Sequence, residues 1–383
     1  MIHVAAQPLS LSQPVLNHQA PAVRAVAKTV CVSVIVPTYR EAQSLPHLLA
    51  RLDRVRQEHR FELDVHIMDD FSDDGSREVV EAAGLPWVHF HERQGTRGLS
   101  PAVLDGLTLA LSPVLVVMDA DLSHPPEVIA PMVAALDEGA EFVVGSRYIR
   151  GGSTDTEWTL YRRLNSRIAT LLARPLTRLH DPMSGFFAFR RSLLDSAGHL
   201  NPIGYKIGLE LLVKCDAQHV AEVPIHFADR VHGESKLTLA QQLRYIQHLR
   251  RLYLFRYAEA THVAQFLVVG ASGVVVNLGV LTIALGLGAE RFLALALGIL
   301  VSVIGNFLLH RRFTFSYARR GPRLGQFAGY CVACLLTAGA SFLTSIAMSG
   351  AVPDWPLQVA ALAGIAVGTG LNYLLGRFVV FRK

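Results

Sequence analysis

Residues 114–127 read Val-Leu-Val-Val-Met-Asp-Ala-Asp-Leu-Ser-His-Pro-Pro-Glu. The apolar run that opens this stretch predicts a buried strand, and Asp119 and Asp121 follow where that strand would end. Residues i and i+2 of a strand point to the same side, so the two carboxylates are expected to converge. Converging carboxylates suit a hard divalent cation, which usually bridges phosphates. A solvated acidic turn, which the Pro-Pro pair would also suit, remains open on spacing alone.

Strand and helix patterns alternate around this stretch. Apolar runs predict five strands, with a helical pattern at 99–111 between two of them; the runs are residues 32–37, 63–68, 87–91, 114–118 and 142–147. An acidic turn, residues 69–76, follows the second run as Asp119 follows the fourth. Parallel strands joined by helices bring such ends to one edge of a sheet, where nucleotides bind. The sequence therefore predicts an α/β domain with a mostly parallel sheet and a nucleotide crevice.

The composition changes sharply along the chain. Nearly all acidic groups lie between residues 30 and 260, whereas long apolar segments dominate from Val263 onward. A chain of 383 residues has room for two or three domains. The first 28 residues lack a continuous apolar core behind a basic start. They are therefore predicted to form a disordered tail and not a signal peptide.

The cysteines carry little functional signal. Cys31, Cys215, Cys331 and Cys334 show no spacing typical of a disulfide framework, which indicates a reducing compartment. The last two form a CxxC pair inside an apolar segment, where small residues that allow close helix packing are the favoured explanation.

Four segments are long and apolar enough to cross a bilayer, namely residues 262–287, 292–309, 326–348 and 357–375. The loop between the second and third, residues 310–323, contains five arginines and no acidic residue. The chain ends in a second basic stretch, and the other two connections carry little charge. Because basic loops stay in the cytoplasm, these features predict a multi-pass protein of the cytoplasmic membrane. Its N-terminal domain and its C-terminus are expected on the cytoplasmic side.

A short pattern occurs twice in the membrane half. Asn306 precedes Arg-Arg-Phe-Thr-Phe at residues 311–315, and Asn372 precedes Arg-Phe-Val-Val-Phe at residues 377–381. Hydrogen bonding between helices with a basic-aromatic interfacial strip is the favoured explanation for each asparagine. Together with Gln-Phe-Leu-Val-Val-Gly-Ala-Ser-Gly at residues 265–273, the pattern resembles the GtrA family of four-helix membrane proteins. That family is linked to polyprenyl-phosphate sugars.

Residues 236–260 are predicted to form an amphipathic linker helix. Apolar side chains recur at helical spacing among several arginines, at Leu239, Leu243, Ile246 and Tyr253. Such a helix suits an anionic membrane surface. Packing of the same helix on the soluble domain is the alternative. The predicted division of the chain is a tail at 1–28, an α/β domain at 29–235, this linker, and a transmembrane domain at 261–383.

Eight short motifs in the α/β half follow the order of one enzyme family. They are IVPTY at 35–39, DD at 69–70, RGLS at 97–100, MDADLSHPPE at 118–127, GSRY at 145–148, DPMSGF at 181–186, EVPI at 222–225 and GESKL at 233–237. Any one of these motifs is weak evidence. In this order they resemble the GT-A glycosyltransferases of the dolichyl- or polyprenyl-phosphate mannose synthase group.

The resemblance implies roles for the matching residues. The nucleoside of the donor would be contacted by Pro37, Tyr39, Glu41 and Asp70. Asp119 and Asp121 would hold Mg²⁺ or Mn²⁺ against the donor diphosphate, with Lys236 near the same anionic groups. The lipid phosphate would be surrounded by Arg147, Arg162, Ser166 and Arg230. Catalysis is expected to depend most on Asp121, Arg147, Arg162 and Arg230, although a solvated basic patch remains the alternative for Arg162.

Three positions depart from the family pattern. Ser123 lies where a glutamine often joins the metal ligands, Met183 where threonine is common, and Phe187 where arginine often follows Ser-Gly-Phe. These differences bear on donor identity and acceptor contacts more than on the reaction class.

The implied reaction moves a sugar, most simply mannose from GDP-mannose, onto a polyprenyl or dolichyl monophosphate with inversion. The expected partners are a nucleotide sugar, the lipid phosphate and the bilayer, with no nucleic acid, and a homodimer or higher homo-oligomer is left open. Two alternatives also remain: a UDP-glucose-dependent polyprenyl-phosphate glucosyltransferase, and a polyprenyl-phosphate-sugar transporter or flippase whose head binds nucleotide sugar. A processive polysaccharide synthase is disfavoured, because no tryptophan lies in a Gln-x-x-Arg-Trp motif.

Overall fold

The computed structural model describes residues 29–155, 160–228, 239–352, 354 and 356–382, with side chains except at 160–163 and 239. The tail expected at residues 1–28 lies outside this part of the chain, as do Arg230 and Lys236. The described chain forms an α/β domain and a set of long apolar helices, joined by one helix.

The strands of the α/β domain are, in chain order, β1 (Cys31–Thr38), β2 (Glu62–Asp69), β3 (Val88–Glu92), β4 (Val114–Val117), β5 (Phe142–Ser146), β6 (Ser153–Thr154), β7 (Phe187–Arg190), β8 (Val220–Pro224) and β9 (His226–Phe227). One sheet has the order β3-β2-β1-β4-β7-β5-β8, and β6 pairs with β9 separately. In the large sheet β7 is antiparallel to β4 and β5, while the other pairs are parallel. The expected mostly parallel sheet is confirmed.

Helices cover both faces of this sheet. They are α1 (Leu45–His59), α2 (Ser76–Ala83), α3 (Leu99–Leu109), α4 (Ile129–Asp137), α5 (Leu160–Ala173), α6 (Ile207–Lys214) and α7 (Leu239–Arg256). Successive strand residues point to opposite faces, so Val34 and Val36 pack with α1 and α4, whereas Ile35 packs with α3. With both faces buried, the strand ends are where polar groups can meet a ligand.

The antiparallel strand β7 reads Phe-Ala-Phe-Arg and lacks the continuous β-branched apolar run that identifies β4, so the sequence gives no clear signal for it. Its Phe187 and Phe189 stack on Phe142, with ring centroids 5.3 and 5.6 Å apart. Since β7 runs antiparallel, the loop that precedes it lies at the carboxyl edge of β4 and β5. This reversal places residues 181–186 at the same edge of the sheet as Asp119, which follows β4, and Arg147, which follows β5.

The membrane half contains four helices long and apolar enough to span a bilayer among the described residues, which confirms the prediction. They are α8 (Ala258–Gly286), α9 (Arg291–Leu309), α10 (Arg323–Ala351) and α11 (Leu357–Leu375). Helices α9 and α11 each continue into a π-helical turn, at His310–Thr314 and Gly376–Val380. The phenylalanines that follow, Phe315 and Phe381, stack with centroids 4.9 Å apart. The repeated sequence pattern therefore corresponds to two hairpins, α8–α9 and α10–α11, with matching ends.

A glycine sets the distance between α10 and α11. A Cβ at Gly364 would lie 3.2 Å from the Ser341 carbonyl carbon and closer still to its oxygen, whereas a Cβ at Gly370 of the same helix would meet nothing within 4 Å. We expect Gly364→Ala to destabilise the membrane domain by about 1–3 kcal/mol, because overpacking forces the helices apart. Gly370→Ala should leave the melting temperature in detergent unchanged or slightly higher. Equal melting temperatures for the two variants would contradict this close approach.

One face of α7 packs on the α/β domain. Leu249 and Leu252 are buried with residues of α6, and the hydroxyls of Tyr245 and Tyr253 donate to backbone carbonyls of α5. Residues 239–256 of the predicted linker are helical, and packing on the soluble domain, which the sequence left open, accounts for this face.

Other side chains of α7 are exposed or contact the membrane half. Leu243 and Ile246 are 53% and 55% exposed. Arg250 donates to the Phe313 carbonyl oxygen beyond α9, so α7 also contacts the membrane half. Contact of the exposed side chains with a membrane surface stays a prediction.

Candidate active site

The carboxyl edge of the sheet gathers many of the polar residues that the sequence singled out. Asp119 follows β4 and Arg147 follows β5, and the loop before β7 lies between them. Gly185 of that loop approaches Asp119, while Asp181 of the same loop binds Arg147. The acidic stretch and the basic motif therefore form one continuous site.

Asp119 and Asp121 lie in a turn and not on a strand. β4 ends at Val117, and the chain then bends, with Leu122 in the left-handed region at φ 63°. The Asp119 side chain is 26% exposed, whereas Asp121 is only 4% exposed. Oδ1 of Asp121 accepts from the N–H and the hydroxyl of Ser123, at 3.1 and 2.5 Å. The expectation that strand alternation orients the carboxylates was wrong, because a hydrogen-bonded turn orients them.

His124 stabilises this turn. Its Nδ1 accepts from the Asp119 N–H at 3.1 Å, and its ring stacks on Phe186 at a centroid distance of 5.3 Å. Phe227 meets the same ring edge-on at 5.5 Å. Burial lowers the pKa of His124, and the nearby Asp119 and Asp121 carboxylates oppose this effect only in part. His124 is thus a neutral structural group at neutral pH.

The two carboxylates suit a hard cation that binds together with a substrate. No group of three or more His, Cys, Asp or Glu side chains in the described part of the chain could hold a metal alone. Mg²⁺, however, is commonly held by one or two carboxylates, with water and substrate phosphates completing the shell. Gly185 lies beside the Asp119 carboxylate, since a Cβ there would be in ordinary contact with its Oδ2 at 3.4 Å. The two carboxylates therefore fit as ligands of Mg²⁺ or Mn²⁺, with a substrate diphosphate completing the coordination.

Tyr39 and Asp70 lie at the side of the edge expected to hold the nucleoside. The Arg97 guanidinium carbon lies 5.3 Å from the Tyr39 ring centroid. Asp70 is buried and forms an ion pair with Arg93, and its Oδ2 accepts from the Gly98 N–H at 2.7 Å. This carboxylate therefore orders the start of α3 in addition to any ligand contact.

Pro37 and Glu41 flank the same region. Pro37 is partly buried near the end of β1, and Glu41 accepts from the Ser44 hydroxyl at 3.1 Å before α1. The sequence did not single out Arg93 or the side chain of Arg97 for this site. Both follow the third predicted strand, and their position at a strand end is the signal that could have identified them.

Arg147 forms a buried bidentate ion pair with Asp181. Nε and Nη2 of Arg147 donate to the two carboxylate oxygens at 2.7 and 2.8 Å, and its backbone N–H donates at 3.1 Å. The guanidinium carbon also lies 5.3 and 5.1 Å from the rings of Tyr148 and Phe227. Burial disfavours the charged guanidinium, but the bonds and charge of Asp181 outweigh it and raise the pKa of Arg147. Glu222 supports the pair by accepting from the Asp181 N–H at 3.0 Å.

Ser166 lies on α5, and its hydroxyl is 2.7 Å from the Tyr148 hydroxyl. The same helix leaves a row of large apolar side chains exposed, at Leu164, Ile168, Leu171 and Leu172. The backbone of Arg162 is on α5 one turn earlier, and its side chain is outside the described part, as are Arg230 and Lys236. Ser166 therefore contacts Tyr148, the residue after Arg147, and the exposed apolar side chains of α5 lie on the same helix.

Lys206 is a site residue that the sequence did not indicate. Its Nζ donates to the Met183 carbonyl oxygen at 2.6 Å, in the loop that carries Asp181. Burial and, to a smaller extent, the nearby Arg147 lower the pKa of Lys206 to about 8, although Asp181 and Asp119 oppose this shift. A lone lysine before a short helix gives no local sequence signal, so the fold alone reveals it.

Comparisons with known proteins agree with this arrangement. Residues 33–198 match Glycosyl transferase family 2, and residues 265–381 match the GtrA/DPMS transmembrane domain. The chain is 35% identical over 362 residues to a dolichol-phosphate mannosyltransferase of Pyrococcus furiosus, covering 91% of this chain and 99% of the relative. It is 42% identical over 240 residues to a dolichol-phosphate mannosyltransferase of Mycosarcoma maydis, covering 60% of this chain and 82% of that protein.

Among solved structures, glucosyl-3-phosphoglycerate synthase from Mycobacterium tuberculosis, crystallised with Mn²⁺, UDP-glucose and phosphoglyceric acid, has a TM-score of 0.45 and 20% identity. The match covers 60% of this chain and 80% of that chain. The P. furiosus relative, by contrast, aligns along nearly its whole length and through both the α/β and the membrane half. This chain belongs to the dolichol-phosphate mannosyltransferase family, as a membrane glycosyltransferase that joins a family 2 GT-A domain to a four-helix GtrA/DPMS domain.

Proposed function

We propose that this protein transfers mannose from GDP-mannose to a polyprenyl or dolichyl monophosphate, with inversion at the anomeric carbon. The observation that carries the proposal is the continuity of the Asp119–Asp121 turn with the Arg147–Asp181 pair. One half suits the metal and diphosphate of a donor, and the other half suits an anionic acceptor. The names of the relatives support mannose as the sugar and dolichyl phosphate as the type of acceptor.

The residues divide the work between the two substrates. On the donor side, the nucleoside contacts come from Pro37, Tyr39, Glu41 and Asp70, with Lys236 near the diphosphate. Asp119 and Asp121 would hold Mg²⁺ or Mn²⁺, which supplies charge to stabilise the departing nucleoside diphosphate. On the acceptor side, the phosphate contacts come from Arg147, Arg162, Ser166 and Arg230.

The chemistry needs orientation more than proton transfer. A lipid monophosphate is already anionic at neutral pH, so its oxygen can attack the anomeric carbon without a strong general base. The new bond joins that oxygen to the anomeric carbon as the bond to the donor diphosphate breaks. Arg147, held rigid by Asp181, aligns the attacking phosphate, and the site's fixed charges stabilise the transition state.

The acceptor reaches this site from the bilayer. Exposed apolar side chains of α5 and α7 lie beside Ser166 and the first membrane helix. The arginine-rich loop at residues 310–323 favours a cytoplasmic position for the catalytic domain and the C-terminus. The proposed division keeps the α/β domain at 29–235, the linker at 236–260 and the transmembrane domain at 261–383.

A single assay tests donor and acceptor together. Purified protein would be given radiolabelled GDP-mannose or UDP-glucose with polyprenyl phosphate and Mg²⁺ or Mn²⁺. We expect label from GDP-mannose to enter organic-extractable lipid, and chelation of the metal to stop it. Transfer from UDP-glucose alone would replace the donor assignment, and a product with the donor's anomeric configuration would rule out inversion. Nucleotide-sugar binding without transfer in folded protein would favour the transporter.

A further inference from the structure

Lys206 lies at the boundary between the donor half and the acceptor half of the site. Its ammonium group bonds to the Met183 carbonyl, a neutral partner, and lies 4.6 Å from the centroid of the Tyr205 ring. The pKa of Lys206 responds to charges on both sides, from Arg147 and Asp181 and from Asp119. An ammonium has three N–H donors, and the Met183 bond uses one of them.

Among the residues that the structure describes, the arginine of the acceptor half is paired with a carboxylate. Arg147 is compensated by Asp181, whose carboxylate is fully buried and takes two guanidinium N–H groups. A bidentate pair of this kind is close to neutral as seen by an incoming phosphate. The Lys206 ammonium donates to a carbonyl, and no carboxylate of the described residues forms an ion pair with it, so a phosphate could bind it directly.

The chain just before Lys206 also packs against α7. Its neighbours in the chain contact α7, since the Ile203 N–H donates to His248 Nδ1 at 2.9 Å. A Cβ at Gly204 would lie 3.9 Å from Cβ of Arg244 on the same helix. Because α7 leads directly into the first membrane helix, this segment lies against the helix that joins the α/β domain to the membrane half.

We propose that Lys206 is a substrate-binding residue, whose ammonium contacts the phosphate of the lipid acceptor together with Arg147. The inference deepens the proposed function and rests on it. Nothing in the local sequence before α6 would assign this role. The loop that carries Asp181 and Met183 positions both cations, one through a carboxylate and the other through a carbonyl.

The test measures acceptor and nucleotide binding separately. Farnesyl phosphate and GDP are titrated calorimetrically into the full-length protein in detergent. We expect Lys206→Met to weaken farnesyl phosphate binding by about 10- to 100-fold, the worth of a charged hydrogen bond. GDP affinity should be unchanged, and Lys206→Arg should restore most of the acceptor affinity. In turnover, the same split should appear as a raised KM for the lipid with the donor KM unchanged.

Lys214→Met is the matched control. Lys214 is a buried lysine at the end of α6, the helix that follows Lys206, and it pairs with Glu210 at 2.6 Å, so its loss should lower the melting temperature without changing acceptor affinity. Equal farnesyl phosphate affinity in wild type and Lys206→Met would overturn the inference alone. Weakened GDP binding in Lys206→Met would assign the lysine to the donor and overturn it as well. Absence of isoprenoid phosphate binding by the wild type would overturn both this inference and the proposed acceptor.

Discussion

Replacing Asp121 with asparagine should lower the rate of sugar transfer by at least about 10³-fold, since a metal at a leaving diphosphate contributes several kcal/mol. The variant should still fold, because the asparagine carbonyl can accept the two bonds that Ser123 makes to Asp121. The measurement is the initial rate of label transfer to lipid at saturating Mg²⁺ or Mn²⁺, beside the melting temperature. A rate close to that of the wild type would show that Asp121 is not needed for catalysis.

Glu127→Gln is the matched control for this experiment. Glu127 belongs to the same acidic stretch but is half-exposed and paired with Arg51 at 2.5 Å. Its removal costs at most about 1 kcal/mol, as for other surface ion pairs. Its transfer rate should therefore remain that of the wild type. A similar loss in both variants would indicate a general effect of negative charge and not a metal site.

Asp181→Ala should lower the free energy of unfolding of the α/β domain by about 3–5 kcal/mol, because it leaves the Arg147 guanidinium buried without its partner. Three hydrogen bonds from Arg147 end on this carboxylate, and the residue is fully buried. Transfer to lipid should be lost as well, since Arg147 would no longer be held in place. Chemical denaturation followed by intrinsic fluorescence measures the first effect, and the lipid assay measures the second.

A double variant separates stability from activity at this pair. Arg147→Met combined with Asp181→Leu replaces the ion pair by apolar groups, which is often neutral for stability. We expect it to unfold near the wild-type denaturant concentration and to remain inactive. Activity in this variant would show that the pair is purely structural. Wild-type stability in Asp181→Ala would contradict its burial.

The apolar runs of the sequence predicted most of the fold. The runs around Val34 and Val116 are buried on both sides of the sheet, so their composition shows their environment directly. The four membrane helices were equally clear, because lipid demands long apolar segments. Strand β7 was missed, since the packing of Phe187 and Phe189 on Phe142 is a long-range contact that four residues do not reveal.

The sequence indicated which residues belong to the candidate site, but it did not predict how their side chains are arranged. The motifs pointed to Asp119, Asp121 and Arg147, and the fold brings these three residues to one edge of the sheet. They did not reveal that Asp181 compensates Arg147 or that Lys206 reaches the same loop, because both depend on the reversed direction of β7. Arg162, Arg230 and Lys236 remain predictions that rest on the motifs.

The double attachment of α7 has a consequence for how the enzyme would meet its lipid. Two of its tyrosines donate to α5 on one side, and Arg250 donates to the π-helical turn after α9 on the other. An α/β domain attached in this way would keep its active site at a fixed distance from the membrane surface. The enzyme and its acceptor then meet by lateral diffusion within the two-dimensional membrane. Only the water-soluble donor reaches the active site by diffusion in three dimensions.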